Sequence, residues 1–150
     1  MEGYPHAKEE VDPNLPAPYG NPLEVTILVD ADHAHDLLTR RSLTGMLVYV
    51  GSTPVAWSAK RQGCVATSTY AAEFMALRAA TEQAVNIRYY LRCLGVPIPA
   101  NGSNPTNIFG DNFSVIQSAS NPKADLSKKH VALSFHYVRE AIAAGIVAPY

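Results

Sequence analysis

The chain is short of cysteine, of charge and of long apolar runs, and each shortage closes off a class of protein. Its two cysteines, Cys64 and Cys93, form neither a CxxC pair nor a disulfide framework. That excludes a stapled secreted scaffold and leaves two reduced thiols, one of them expected to be buried in a helix. Charged residues make up 17% of the chain and the formal net charge is −1, so any attraction to a polyanion has to come from a local basic patch. No apolar run reaches the length of a membrane span. The opening Met1-Glu2-Gly3-Tyr4-Pro5 has no signal-peptide pattern. The expectation is a soluble, intracellular protein.

What the chain does have is apolar content. At 47% hydrophobic residues in 150 positions, it supports one domain with a real core and is too short for two ordinary ones. Residues 1–22 carry five prolines, Pro5, Pro13, Pro16, Pro18 and Pro22. Proline fixes φ and lacks a backbone donor, so this segment reads as an extended arm or connector, with the domain at 23–150.

Strand and helix periods alternate from there. Residues 24–30 and 45–50 are rich in β-branched residues and bounded by turn formers; 55–58 returns after a turn at 51–54. Strands so closely joined are antiparallel neighbours. From Tyr70 to about Leu94 the period becomes helical, with Phe74, Leu77, Ala80, Ala84, Ile87 and Leu91 on one stripe. Gly95 closes it. A short strand at 106–110, a short helix at 112–120, a helix capped by Ser127 and a final strand from Ile146 complete the order. Three strands followed by alternating strands and helices imply an α/β fold, a mixed five-stranded sheet with helices on its faces.

Three acids occupy informative places: Asp30 ends the first strand, Glu73 lies near the start of the long helix, and Asp111 follows the fourth strand. Such positions converge at one edge of an α/β sheet. Crowded carboxylates repel one another and hold hard divalent cations, Mg²⁺ or Mn²⁺ in preference to zinc. Spacing alone leaves three ordinary surface acids equally open. The cluster Asp30, Asp32, His33, His35 and Asp36 suggests a transition-metal site, but strand alternation scatters those ligands over both faces.

The local wording narrows the choice. Val29-Asp30-Ala31-Asp32, Thr39-Arg40-Arg41-Ser42-Leu43-Thr44-Gly45 and Trp57-Ser58-Ala59-Lys60-Arg61-Gln62 resemble the ribonuclease H region of Copia-type (Pseudoviridae) LTR retrotransposon polyproteins. So do Ser68-Thr69-Tyr70-Ala71-Ala72-Glu73-Phe74-Met75-Ala76-Leu77, Gly110-Asp111-Asn112-Phe113-Ser114, and Lys129-His130-Val131 followed by His136-Tyr137-Val138-Arg139-Glu140. The blocks keep the family order across residues 25–150. The resemblance implies a ribonuclease H-like fold and a two-metal endonuclease that cuts the RNA strand of an RNA–DNA hybrid. It implies a reverse transcriptase domain upstream, and a cytoplasmic (virus-like particle) or nuclear setting. Asp30, Glu73 and Asp111 match the family acids, and Asp32 is an adjunct.

The departures carry expectations of their own. The family's fourth acid lies in an Ala-Asp pair beyond the final strand, and Tyr150 precedes it; Ala132 and His35 stand where the family often has an acid and a glycine. The metal site is therefore expected to be incomplete and activity weak. The C-terminal helix is expected to be missing, and an apolar face beside Val147 to be left open to self-association or a partner. The alternative reading is a catalytically weak or inactive module kept for binding or structure. Arg40, Arg41, Lys60, Arg61, Lys128, Lys129 and His130 are the candidate phosphate contacts. Lys128, Lys129 and His130 fall near a helix start, where the macrodipole disfavours cations, so helix stability does not explain them. Trp57 alternates with Val55 on a strand and reads as core.

Overall fold

The computed structural model describes residues 3–33, 37–63, 65, 68–111, 115–116 and 132–150. Its elements are β1 (Val25–Asp32), β2 (Leu43–Val50), β3 (Thr53–Arg61), α1 (Thr69–Cys93), β4 (Thr106–Phe109), α2 (Ala132–Ala143) and β5 (Val147–Pro149). They form one sheet in the order β3-β2-β1-β4-β5. The first three strands pair antiparallel, while β4 joins β1 and β5 joins β4 in parallel. The sheet is mixed and five-stranded, as expected.

Local chemistry explains the joints. Gly51 takes φ 60 in the tight β2–β3 turn, a backbone state that a β-carbon disfavours. Ser68 caps α1 by accepting from the Ala71 amide at 3.1 Å. At the other end Gly95, at φ 80, lets the Val96 amide reach back to the Leu91 carbonyl at 3.0 Å. Gly145 ends α2 the same way, with Ile146 donating to the Ala141 carbonyl at 3.0 Å. Of the short helix expected at 112–120, only Val115 and Ile116 are described, and they are helical. The expected cap Ser127 lies outside the described residues.

The core lies between one sheet face and the two helices. Val25, Ile27 and Val29 of β1, Val48 of β2 and Ile108 of β4 meet Phe74, Leu77, Ala80 and Ala84 of α1. Phe135 of α2 packs against Phe74, the rings tilted by 33° with centroids 3.9 Å apart. The helical stripe read from the sequence is buried as expected, with Ile87 at its margin. No helix among the described residues is long and apolar enough to cross a membrane.

Two sequence expectations fail here. Trp57 is not core: it is 75% exposed, with Val55 at 45%. In register, Trp57 pairs with Leu47, Leu47 with Leu28, and Leu28 with Phe109. This row runs across the face away from α1, and Ala56 and Ser58 take the inward positions. The strand alternates as its pattern implies, but the covered face is the opposite one. Val147 itself is buried at 2%. The open apolar face holds Tyr150, stacked on Phe109 at 5.2 Å between centroids. Cys93, expected to be buried, is exposed.

The N-terminal segment is laid against the domain. Glu9 forms ion pairs with Arg88 at 2.7 Å and with Arg92, and the Tyr19 amide donates to the Gly95 carbonyl at 2.9 Å.

Candidate active site

The parallel pairing of β1 with β4 matches Leu28 to Phe109. Two residues further along, the same register brings Asp30 level with Asp111, past the strand end where such sheets bind ligands. Glu73 comes down from the start of α1, which packs over β1 and β4. One carboxylate oxygen from each of Asp30, Glu73 and Asp111 lies within 4.8 Å of the others. Asp32 shares the strand and its outward face, since β1 continues that far, yet it is not part of the cluster.

The electrostatics follow from that crowding. Glu73 sits against an apolar wall formed by Val29, Leu77, Ile108 and Val115. Burial first, then the charges of Asp111 and Asp30, push its carboxyl up to about 7. Asp30 Oδ1 accepts the Ala31 amide at 2.8 Å. Among the described residues no lysine or arginine pairs with any of the three acids. An unneutralised all-oxygen donor set of this kind fits a hard divalent cation.

The candidate phosphate contacts divide. Arg40, at φ 57, and Arg41 are exposed in the loop before β2. Lys60 and Arg61 end β3 on alternate faces, opposite Thr44 and Leu43. Lys128, Lys129, His130, His35 and Asp36 lie outside the described residues. His33 of the alternative metal cluster instead shares a 3.4 Å contact with the Ser42 hydroxyl.

No protein-family model matches the chain. Over 126 residues it is 32% identical to the retrovirus-related Pol polyprotein from transposon RE2 of Arabidopsis thaliana, covering 84% of this chain and 8% of that polyprotein. The corresponding polyprotein from transposon RE1 of the same plant is 30% identical over 126 residues, with the same coverage of 84% and 8%. Among solved structures, the N-terminal RNase H domain of Rv2228c from Mycobacterium tuberculosis has a TM-score of 0.58 at 16% identity, covering 84% of each chain. The chain is similar to a short stretch of retrotransposon Pol polyproteins, and its fold is ribonuclease H-like. Asp30, Glu73 and Asp111 lie on β1, on α1 and just past β4 of this ribonuclease H-like fold.

Sequence reasoning missed two residues that support the site. Gln62 is buried, and its Nε2 donates to Thr44 Oγ1 at 3.0 Å and to the Ala72 carbonyl at 2.9 Å. It ties β2 to the helical turn that presents Glu73. A polar residue at the end of a strand block was the available signal. Arg88 is the other, and a cation in an otherwise apolar helical stripe was its signal.

Proposed function

We propose that this domain is a divalent-metal-dependent endonuclease that hydrolyses the RNA strand of RNA–DNA hybrids during retrotransposon reverse transcription. The convergence of Asp30, Glu73 and Asp111 within 4.8 Å carries the reading. Mg²⁺ or Mn²⁺ bound there would supply an activated water and neutralise charge on the scissile phosphodiester. Asp30 on β1 and Asp111 just past β4 would form two walls of the site. Glu73, its carboxyl pushed up to about 7, would have to give up that proton to hold a cation. Arg40, Arg41, Lys60 and Arg61 would contact backbone phosphates, and hybrid shape and 2′-hydroxyls would set specificity. Polyprotein relatives support a reverse transcriptase domain as the neighbour; the setting would be a cytoplasmic particle or the nucleus.

The test is cleavage of an end-labelled hybrid in Mn²⁺ and in Mg²⁺. Asp30→Asn, Glu73→Gln and Asp111→Asn should each slow cleavage by at least about 100-fold. Robust cleavage by any of the three variants would sink the assignment. No cleavage by the parent chain would favour the alternative, a module kept for binding.

A further inference from the structure

Away from the acids, a cavity of about 370 Å³ opens between the end of the β2–β3 hairpin and α1. Thr44, Met46, Ser58, Lys60 and Gln62 form its sheet side, and Met75, Arg78 and Glu82 its helix side. The volume suits a small organic unit. Three of the lining residues are cationic, Lys60, Arg61 and Arg78, against the one acid Glu82. Arg78 is engaged by Glu82 at 3.2 Å and by the Ser134 hydroxyl at 3.0 Å. Lys60 makes no ion pair among the described residues.

Gln62 adds an independent observation. A backbone carbonyl only accepts, so the amide atom facing the Ala72 carbonyl must be Nε2. That orientation leaves Oε1 buried with no hydrogen-bond partner. A buried acceptor without a donor is costly. The wall therefore calls for a ligand that brings a hydroxyl donor for Gln62 and an anionic oxygen for Lys60. A ribonucleotide unit carries both, the 2′-hydroxyl and the phosphate. Met46 and Met75 supply polarisable surface for its sugar or base.

We propose that this cavity is a subsite for one ribonucleotide unit of the bound nucleic acid, distinct from the three-acid centre. The inference rests on the hybrid-cleaving reading and names a second point of contact for the same substrate. It also gives the substrate a grip on the helix that bears Glu73, because Gln62 joins the cavity wall to the Ala72 carbonyl.

Binding of a fluorescein-labelled hybrid, and of an all-DNA duplex of the same sequence, is measured by anisotropy in Ca²⁺ over a salt series. Lys60→Gln should lower the salt slope by about one unit. Ser58→Trp, which fills the cavity from β3, should weaken hybrid binding about tenfold with an unchanged Tm. Gln62→Met should narrow the preference for hybrid over DNA by about fivefold. Unchanged slope and affinity in Lys60→Gln and Ser58→Trp would overturn the subsite, even if Gln62→Met fails to fold. Equal losses on hybrid and on DNA would overturn the ribonucleotide assignment, leaving a bare phosphate contact. A parent chain that binds hybrid through this cavity yet cuts nothing in Mn²⁺ overturns the nuclease reading alone. A parent chain that cuts, with cavity variants binding as it does, overturns the subsite alone.

Discussion

Arg88, in α1, and Glu9, 79 positions earlier in the N-terminal segment, make a two-point ion pair with Nε–Oε1 at 3.0 Å and Nη2–Oε2 at 2.7 Å. The Arg88 side chain is 2% exposed and that of Glu9 7%. The same guanidinium donates to the Asn104 carbonyl at 2.7 Å, so it also pins the loop that leads into β4 and Asp111. A proline-rich arm thereby becomes a brace for the strand that leads to Asp111.

The first prediction concerns that brace. Glu9→Gln should destabilise the fold by roughly 3 kcal/mol, because it leaves a buried guanidinium without its counter-charge. That corresponds to a fall in Tm on the order of 10 °C. Burial raises the Glu9 carboxyl, but the hydrogen bonds and charges of Arg88 and Arg92 outweigh it and hold the group below its ordinary value of 4.5. A depressed carboxylate contributes stability that is present above 4.5 and lost as pH falls through the folded value. Thermal melts from pH 6 downward should show the loss in the parent chain and a flatter profile in Glu9→Gln.

Glu73 predicts the opposite sign. Its folded value of about 7 lies above the ordinary 4.5, so the folded state holds the proton more tightly than the unfolded chain does. In the absence of divalent cation, its contribution is fully present below 4.5 and is lost as pH rises toward about 7. Mn²⁺ should reverse that loss, and calorimetry should find a proton released on binding below pH 7. Glu73→Gln should remove both effects. A proton count that does not change in Glu73→Gln would assign the titration to another group.

Gly145 predicts a local packing failure. It sits at φ 73, and a β-carbon there would lie 2.6 Å from the Gly102 Cα. Gly145→Ala should cost at least about 2 kcal/mol, since both the left-handed backbone and the clash oppose it. Gly102→Ala is the control. Its β-carbon would meet Gly145 Cα at an ordinary 3.8 Å, so only the backbone penalty of about 1 kcal/mol remains. Equal losses of stability in urea melts would contradict the close approach.

The sole tryptophan makes the open face measurable. At 75% exposed, Trp57 should emit like a water-exposed indole and be quenched freely by acrylamide. Trp57→Lys should leave stability within about 0.5 kcal/mol of the parent. A blue-shifted emission that acrylamide cannot reach would show that something covers the row Trp57, Leu47, Leu28 and Phe109.

The kind and order of the elements are legible in local pattern alone. The β-branched runs at 25–29 and the helical stripe from Phe74 to Leu91 need only local backbone preference and side-chain periodicity. Asp30, Glu73 and Asp111 were legible because acids at strand ends and helix starts have few places to go in such a fold, and their neighbours resemble a known family. Packing settles what local pattern leaves open. Alternation says that Ala56 and Trp57 face opposite ways, but only the docking of α1 settles which face is covered. Nothing near Glu9 announces a partner in α1, because that pairing exists only once Arg88 is removed from water. The raised carboxyl of Glu73 likewise belongs to no segment: it arises where three chain-distant acids share one poorly solvated corner.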